Sequence, residues 1–128
     1  MPDNSRRIRG ALASQGVPVA TVERYLATLL EPPALEAALA WYRASARGIG
    51  QTPAPPPELD RIPVPTLYVW GDADATVSPE AARWTADYVA GPYRFEVLAG
   101  VGHFSTDQAP ERVTQMLLEH LTEWGAKK

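Results

Sequence analysis

The most constraining feature of this sequence is a five-residue run, Thr66-Leu67-Tyr68-Val69-Trp70, entered through Pro63 and Pro65 and closed by Gly71. It is β-branched and aromatic without apolar–polar alternation, which predicts a parallel strand buried on both faces. Parallel strands need crossover connections, and the sequence supplies one. A helix is predicted over 79–89, with Pro79 at its start, Ala81, Trp84 and Tyr88 on one face, and Gly91-Pro92 at its end. Tyr93-Arg94-Phe95-Glu96-Val97-Leu98 follows; it alternates, as a strand at a sheet edge does. A last helix is predicted from about Ala109 to Trp124, with Val113, Leu117, Leu121 and Trp124 along one side and Gly125 as its cap. The order β-α-β-α is that of a right-handed parallel unit.

Two strands are too few. An isolated two-stranded sheet is marginal in water, and a strand apolar on both faces asks for a neighbour on each edge. The second part of the sequence therefore reads as a piece of a larger sheet.

The first part, residues 1–47, has helical spacing. Val22, Leu26 and Leu29-Leu30 form a stripe on a helix from about Pro18 to Leu30, broken by Pro32 and Pro33. A second helix is predicted over 33–46, where Leu35, Leu39 and Tyr42 share a face. Arg6, Arg7 and Arg9 read as a solvated face or a frayed end. Residues 48–61, rich in proline and glycine, read as a linker, and 62–128 as the α/β part.

Composition removes several functions. A net charge of −3 with scattered basic residues gives no nucleic-acid-binding face. There are no cysteines, hence no disulfide, thiolate metal site or cysteine nucleophile. No apolar stretch approaches the roughly 20 residues that span a bilayer, and no secretory h-region interrupts the polar start. The expectation is a soluble, cytoplasmic chain. No His/Asp/Glu cluster has metal-ligand spacing and no phosphate-binding glycine loop is present.

The chemistry concentrates in two loops. Gly71-Asp72-Ala73-Asp74-Ala75-Thr76-Val77 follows the first strand, and Gly100-Val101-Gly102-His103-Phe104 follows the second. Ligands bind outside the carboxyl ends of parallel strands, so adjacent strands would bring Asp74 and His103 to one edge. A carboxylate that holds an imidazole through its Nδ1–H fixes the tautomer and steadies the imidazolium formed in proton transfer. Taken as single residues, Asp72 reads as a turn or cap, and His120 as a surface or half-buried side chain. Trp41, Trp70 and Trp84 read as packing, and Tyr42 sits on an apolar helical face where packing competes with any chemical role.

From Ile62 to Leu121 the sequence resembles the C-terminal part of the α/β-hydrolase superfamily. The Gly-x-x-Asp-x-x-Val loop is Gly71, Asp74 and Val77; the Gly-His-Phe loop is Gly102, His103 and Phe104. The resemblance implies a partial α/β-hydrolase fold, two parallel strands preceded by cap-type helices. It further implies Asp74 as the triad acid and His103 as general base in cofactor-free hydrolysis of an ester, epoxide or carbon–halogen bond. Ala37-Ala38-Leu39-Ala40-Trp41-Tyr42-Arg43 resembles a cap helix of epoxide-hydrolase-like members, in which Tyr42 matches a tyrosine that hydrogen-bonds the epoxide oxygen. The departure is the nucleophile. Neither a Gly-x-Ser-x-Gly nor a Gly-x-Asp-x-Gly elbow occurs, since Ser5, Ser14, Ser45, Ser78 and Ser105 all lack the two glycines. The partners expected are a small-molecule substrate in an intact enzyme and a polypeptide, a partner chain or a second copy, on the free edge of strand 66–70. The rival reading is a non-catalytic fragment that keeps these residues by descent.

Overall fold

The computed structural model describes residues 2–46 and 60–125. Most of the linker expected at 48–61, and the lysines at the end of the chain, lie outside the described residues. Contacts divide the chain into two compact units. The first contains helices α1 (Pro2–Ser14), α2 (Val19–Leu29) and α3 (Pro32–Ala46). The second gathers Gln15–Val17 with the α/β part. No described helix is long and apolar enough to cross a membrane.

In the first unit the stripe on α2 holds for Val22 and Leu26, which have only 1% and 2% of their surface exposed, while Leu29 is half-buried and Leu30 exposed. The arginine-bearing start of the chain is a helix and not a frayed end. It is pinned on its outer side by Arg9, whose Nε and Nη2 donate to the two carboxylate oxygens of Glu23 on α2 at 2.7 and 3.0 Å. The face expected on α3 does not form a core: Leu39 and Tyr42 are exposed and Leu35 is half-buried, and Trp41, read as packing, is exposed as well.

In the second unit β1 (Thr66–Gly71) pairs in parallel with β2 (Tyr93–Leu98), in register from Thr66 opposite Tyr93 to Gly71 opposite Leu98. A parallel bridge between Ile62 and Val89 extends the pairing below. Asp72 N–H to the Leu98 carbonyl and Ala73 N–H to the Val101 carbonyl extend it above. Side chains alternate across a strand, so Tyr68, Trp70 and Phe95 share one face, and Val69, Arg94, Glu96 and Leu98 the other. On the first face Tyr68 and Phe95 stack with centroids 5.6 Å apart. On the second, α6 (Pro110–Trp124), which follows the one-turn helix α5 (Ser105–Gln108), closes a small core of Leu98, Val101, Ala109 and Val113, with Val69 and Met116 against it. The polar residues of β2 are not wasted there. Arg94 bridges Glu96 on its own strand and Glu119 on α6.

Three expectations are corrected. The helix over 79–89 is α4 (Pro79–Trp84) followed by a 3₁₀ turn, Thr85–Tyr88. Where the geometry changes, the Thr85 hydroxyl donates to the Ala82 carbonyl at 2.7 Å, and Arg61 Nε donates to the Asp87 carbonyl. The buried face also differs from the one expected. Ala82 is fully buried, whereas Trp84 and Tyr88 are exposed. On α6 only Val113 of the expected row is buried; Leu117 and Leu121 face solvent. Strand β1 has its carboxyl end, Trp70 and Gly71, buried, but residues 66–69 are half-buried, because β2 is its one partner among the described residues.

Candidate active site

Both loops leave the carboxyl ends of β1 and β2, and they are held together by backbone contact before any side chain contributes. Gly71 is the reason they can meet. A Cβ at this position would lie 2.0 Å from the Val101 carbonyl oxygen, so only glycine lets the second loop cross so closely. Asp72 then ties the loops, its Oδ1 accepting the Gly100 N–H at 2.6 Å across 28 positions of sequence. Gly100 has a φ of 71°, a conformation that suits glycine. Asp72 sits in a turn, as expected, and its side chain is in addition a cross-loop strut.

Within this frame Asp74 is almost fully committed. Oδ1 accepts the backbone N–H groups of Thr76 and Val77 at 2.7 and 3.1 Å. Oδ2 lies 3.0 Å from His103 Nδ1. The indole of Trp70 donates to the Val77 carbonyl and fixes the far end of the same loop. The Asp74 side chain is 5% exposed and that of His103 40%. Burial by itself raises the Asp74 carboxyl pKa; the bonds from His103, Thr76 and Val77 outweigh it and hold the group below its usual value. An ionised Asp74 can only accept, so Nδ1 carries the proton and Nε2 is left with a lone pair. The Phe104 ring meets the imidazole edge-to-face, with centroids 5.5 Å apart.

The structure brings together two of the three residues singled out in the sequence, Asp74 and His103. Tyr42 belongs to the other unit, on α3, and is 70% exposed. His120 lies on α6 with its Nδ1 buried and without a hydrogen-bond partner. Among the described residues no group of three or more His, Asp or Glu side chains is arranged to hold a metal ion. Sequence reasoning missed Gln108. Its side chain accepts the Gly102 N–H at 2.9 Å and donates to the Gln15 carbonyl at 2.5 Å. The available signal was a polar residue directly before Ala109-Pro110, where one helix ends and another starts.

A profile of the alpha/beta hydrolase family matches residues 1–116. The chain belongs to this family. It is 38% identical over 61 residues to Epoxide hydrolase A of Mycobacterium tuberculosis, covering 48% of this chain and 19% of that protein. It is 27% identical over 107 residues to human Epoxide hydrolase 4, covering 84% of this chain and 28% of the relative. Epoxide hydrolase 3 of Xenopus tropicalis matches at 28% over 68 residues, 53% of this chain and 18% of that protein. The chain thus spans less than a third of the length of these curated relatives. No solved structure matches.

Proposed function

We propose that this chain supplies the general base and its acid, His103 and Asp74, to an epoxide-hydrolysing site whose nucleophile lies on polypeptide beyond these 128 residues. The observation that carries the reading is the 3.0 Å Nδ1···Oδ2 contact, with the other Asp74 oxygen already held by two N–H donors. The names of the relatives favour an epoxide over an ester or a carbon–halogen bond.

In this reading the external nucleophile opens the epoxide and forms a covalent intermediate. Tyr42 donates a hydrogen bond to the epoxide oxygen. His103 Nε2 then takes a proton from water, whose oxygen attacks the intermediate and displaces the nucleophile; Asp74 stabilises the imidazolium through Nδ1–H, and the proton ends on the oxygen of the opened epoxide, giving a diol. Residues 1–47 act as part of a cap, 48–61 as the return linker and 62–128 as the end of the catalytic core. The nucleophile-bearing segment pairs with the open edge of β1, which has a single strand partner among the described residues. The 128 residues alone have no triad-dependent turnover, since nucleophile and oxyanion donors supply the largest catalytic contributions.

The test is a chimera in which the matching segment of Epoxide hydrolase A of Mycobacterium tuberculosis is replaced by this chain, assayed for epoxide opening. The expected result is turnover that His103→Ala reduces at least about 100-fold, the low end for general base catalysis. A folded chimera that turns over equally well with His103→Ala would defeat the reading.

A further inference from the structure

His103 is bracketed by one residue. The Gly102 N–H, immediately before it, donates to Gln108 Oε1 at 2.9 Å. The Phe104 carbonyl, immediately after it, accepts the Gln108 backbone N–H at 3.0 Å. The far side of the same amide donates from Nε2 to the Gln15 carbonyl at 2.5 Å. The amide cannot be turned over without loss. Reversal would set Nε2 against the Gly102 N–H and Oε1 against the Gln15 carbonyl, two like-with-like contacts. The space around it is shaped as well. A Cβ on Gly102 would come within 3.1 Å of the Gln108 Nε2, and one on Gly16 within 3.2 Å of its side-chain carbon and nitrogen. The chain has glycine at both places. Gln108 is half-buried, as are Gly102 and Gln15.

We propose that Gln108 is a positioning residue for His103: with its side-chain oxygen on the Gly102 N–H and its backbone N–H on the Phe104 carbonyl, it sets the path of the 102–104 backbone so that the imidazole presents Nδ1 to Asp74. This rests on the reading of Asp74 and His103 as the acid–base pair. Asp74 cannot set that geometry unaided. It fixes the ring from one side, through a single bond to a half-exposed side chain, and a bond of this kind contributes modestly when its partner is free to swing. Gln108 removes that freedom from the backbone side.

The experiment uses the full chain and reads the His103 ring nitrogens by ¹⁵N NMR at a pH where the imidazole is neutral, together with amide exchange at Gly102. In the parent chain the ring is expected in the Nδ1–H form, and Asp74→Asn is expected to abolish that preference. Gln108→Met keeps the volume and the backbone N–H to Phe104 but removes both side-chain bonds. It is expected to mix the two tautomers and to speed Gly102 exchange by about tenfold or more, as loss of a protecting bond does. Gln108→Glu keeps an acceptor for Gly102 and loses the donor to Gln15. It is expected to retain the Nδ1–H form while the amides of Gln15–Val17 exchange faster, and it carries the test if Gln108→Met does not fold. An unchanged tautomer and unchanged Gly102 exchange in folded Gln108→Met, or loss of the tautomer in folded Gln108→Glu, overturns the proposal. A parent ring without Nδ1–H preference, or one indifferent to Asp74→Asn, overturns the acid–base reading itself and is told apart by that control.

Discussion

The two loops at the carboxyl ends of β1 and β2 are internally complete, while the helical surfaces of the same unit are not. In the loops each polar group singled out has a partner: Asp72 with Gly100, Asp74 with Thr76, Val77 and His103, Gln108 with Gly102 and Gln15. On the helices, Leu117, Leu118 and Leu121 of α6 and Trp84 beside the 3₁₀ turn lie exposed. Buried polar groups must be satisfied locally or they cost a few kcal/mol each. Apolar groups make no such directional demand and take whatever surface is offered. A loop can therefore be finished by its own few residues, whereas a helix face is finished only by what packs on it.

Gly71→Ala should break the comparison most severely. The added Cβ meets main chain at 2.0 Å, not a yielding side chain, so the two loops must separate. Loss of their cross-ties and of the core above β1 is expected to cost at least about 3 kcal/mol, in the range of overpacking with a broken network. Urea unfolding followed by circular dichroism measures it; a midpoint within error of the parent would show that the loops are not interlocked.

Next in size is Asp74→Asn, expected to cost about 1–2 kcal/mol at neutral pH from loss of a charged acceptor. Its pH dependence gives the sharper test. Because folding lowers the Asp74 pKa, its contribution is fully present above the unfolded value, near pH 4, and fades as pH falls through the lower folded value. Stability of the parent should thus drop on acidification below about pH 4 more steeply than that of Asp74→Asn. Parallel curves would mean that the carboxylate is not favoured by its three donors.

How much of this was legible in the sequence follows the same division. Both strands, the loops after them and the meeting of Asp74 with His103 follow from glycine spacing, strand composition and parallel topology, all of which act over a few residues. The buried faces of the helices did not follow. Ala82, not Ala81, Trp84 or Tyr88, is the inward residue, because a helix of six residues is too short for its apolar spacing to name one face. Leu117 and Leu121 match a helical period yet stay exposed, since periodicity reports a face without naming its cover. Gln108 was invisible for a different reason: its meaning depends on Gln15, 93 positions away.

Gly100→Ala is the smaller counterpart of Gly71→Ala and separates conformation from crowding. No atom lies within 4 Å of its would-be Cβ, but φ is 71°. The cost expected is that of a left-handed alanine alone, about 1–2 kcal/mol. If thermal unfolding shows it equal to Gly71→Ala, the close approach at Gly71 is not what distinguishes the two.

The smallest effect should have the opposite sign and fall in the other unit. Gly10 is exposed within α1, has open space around its would-be Cβ and sits at no turn. Glycine there loses backbone entropy on folding without any steric return, so Gly10→Ala should stabilise the helix by up to about 1 kcal/mol. Helix content by circular dichroism and amide exchange along α1 would report the gain, with exchange at Gly102 unchanged. Faster Gly102 exchange in this variant would mean that the loop network answers to changes well outside the residues that close it. The contrast between a self-completed site and open helical faces would then have to be redrawn.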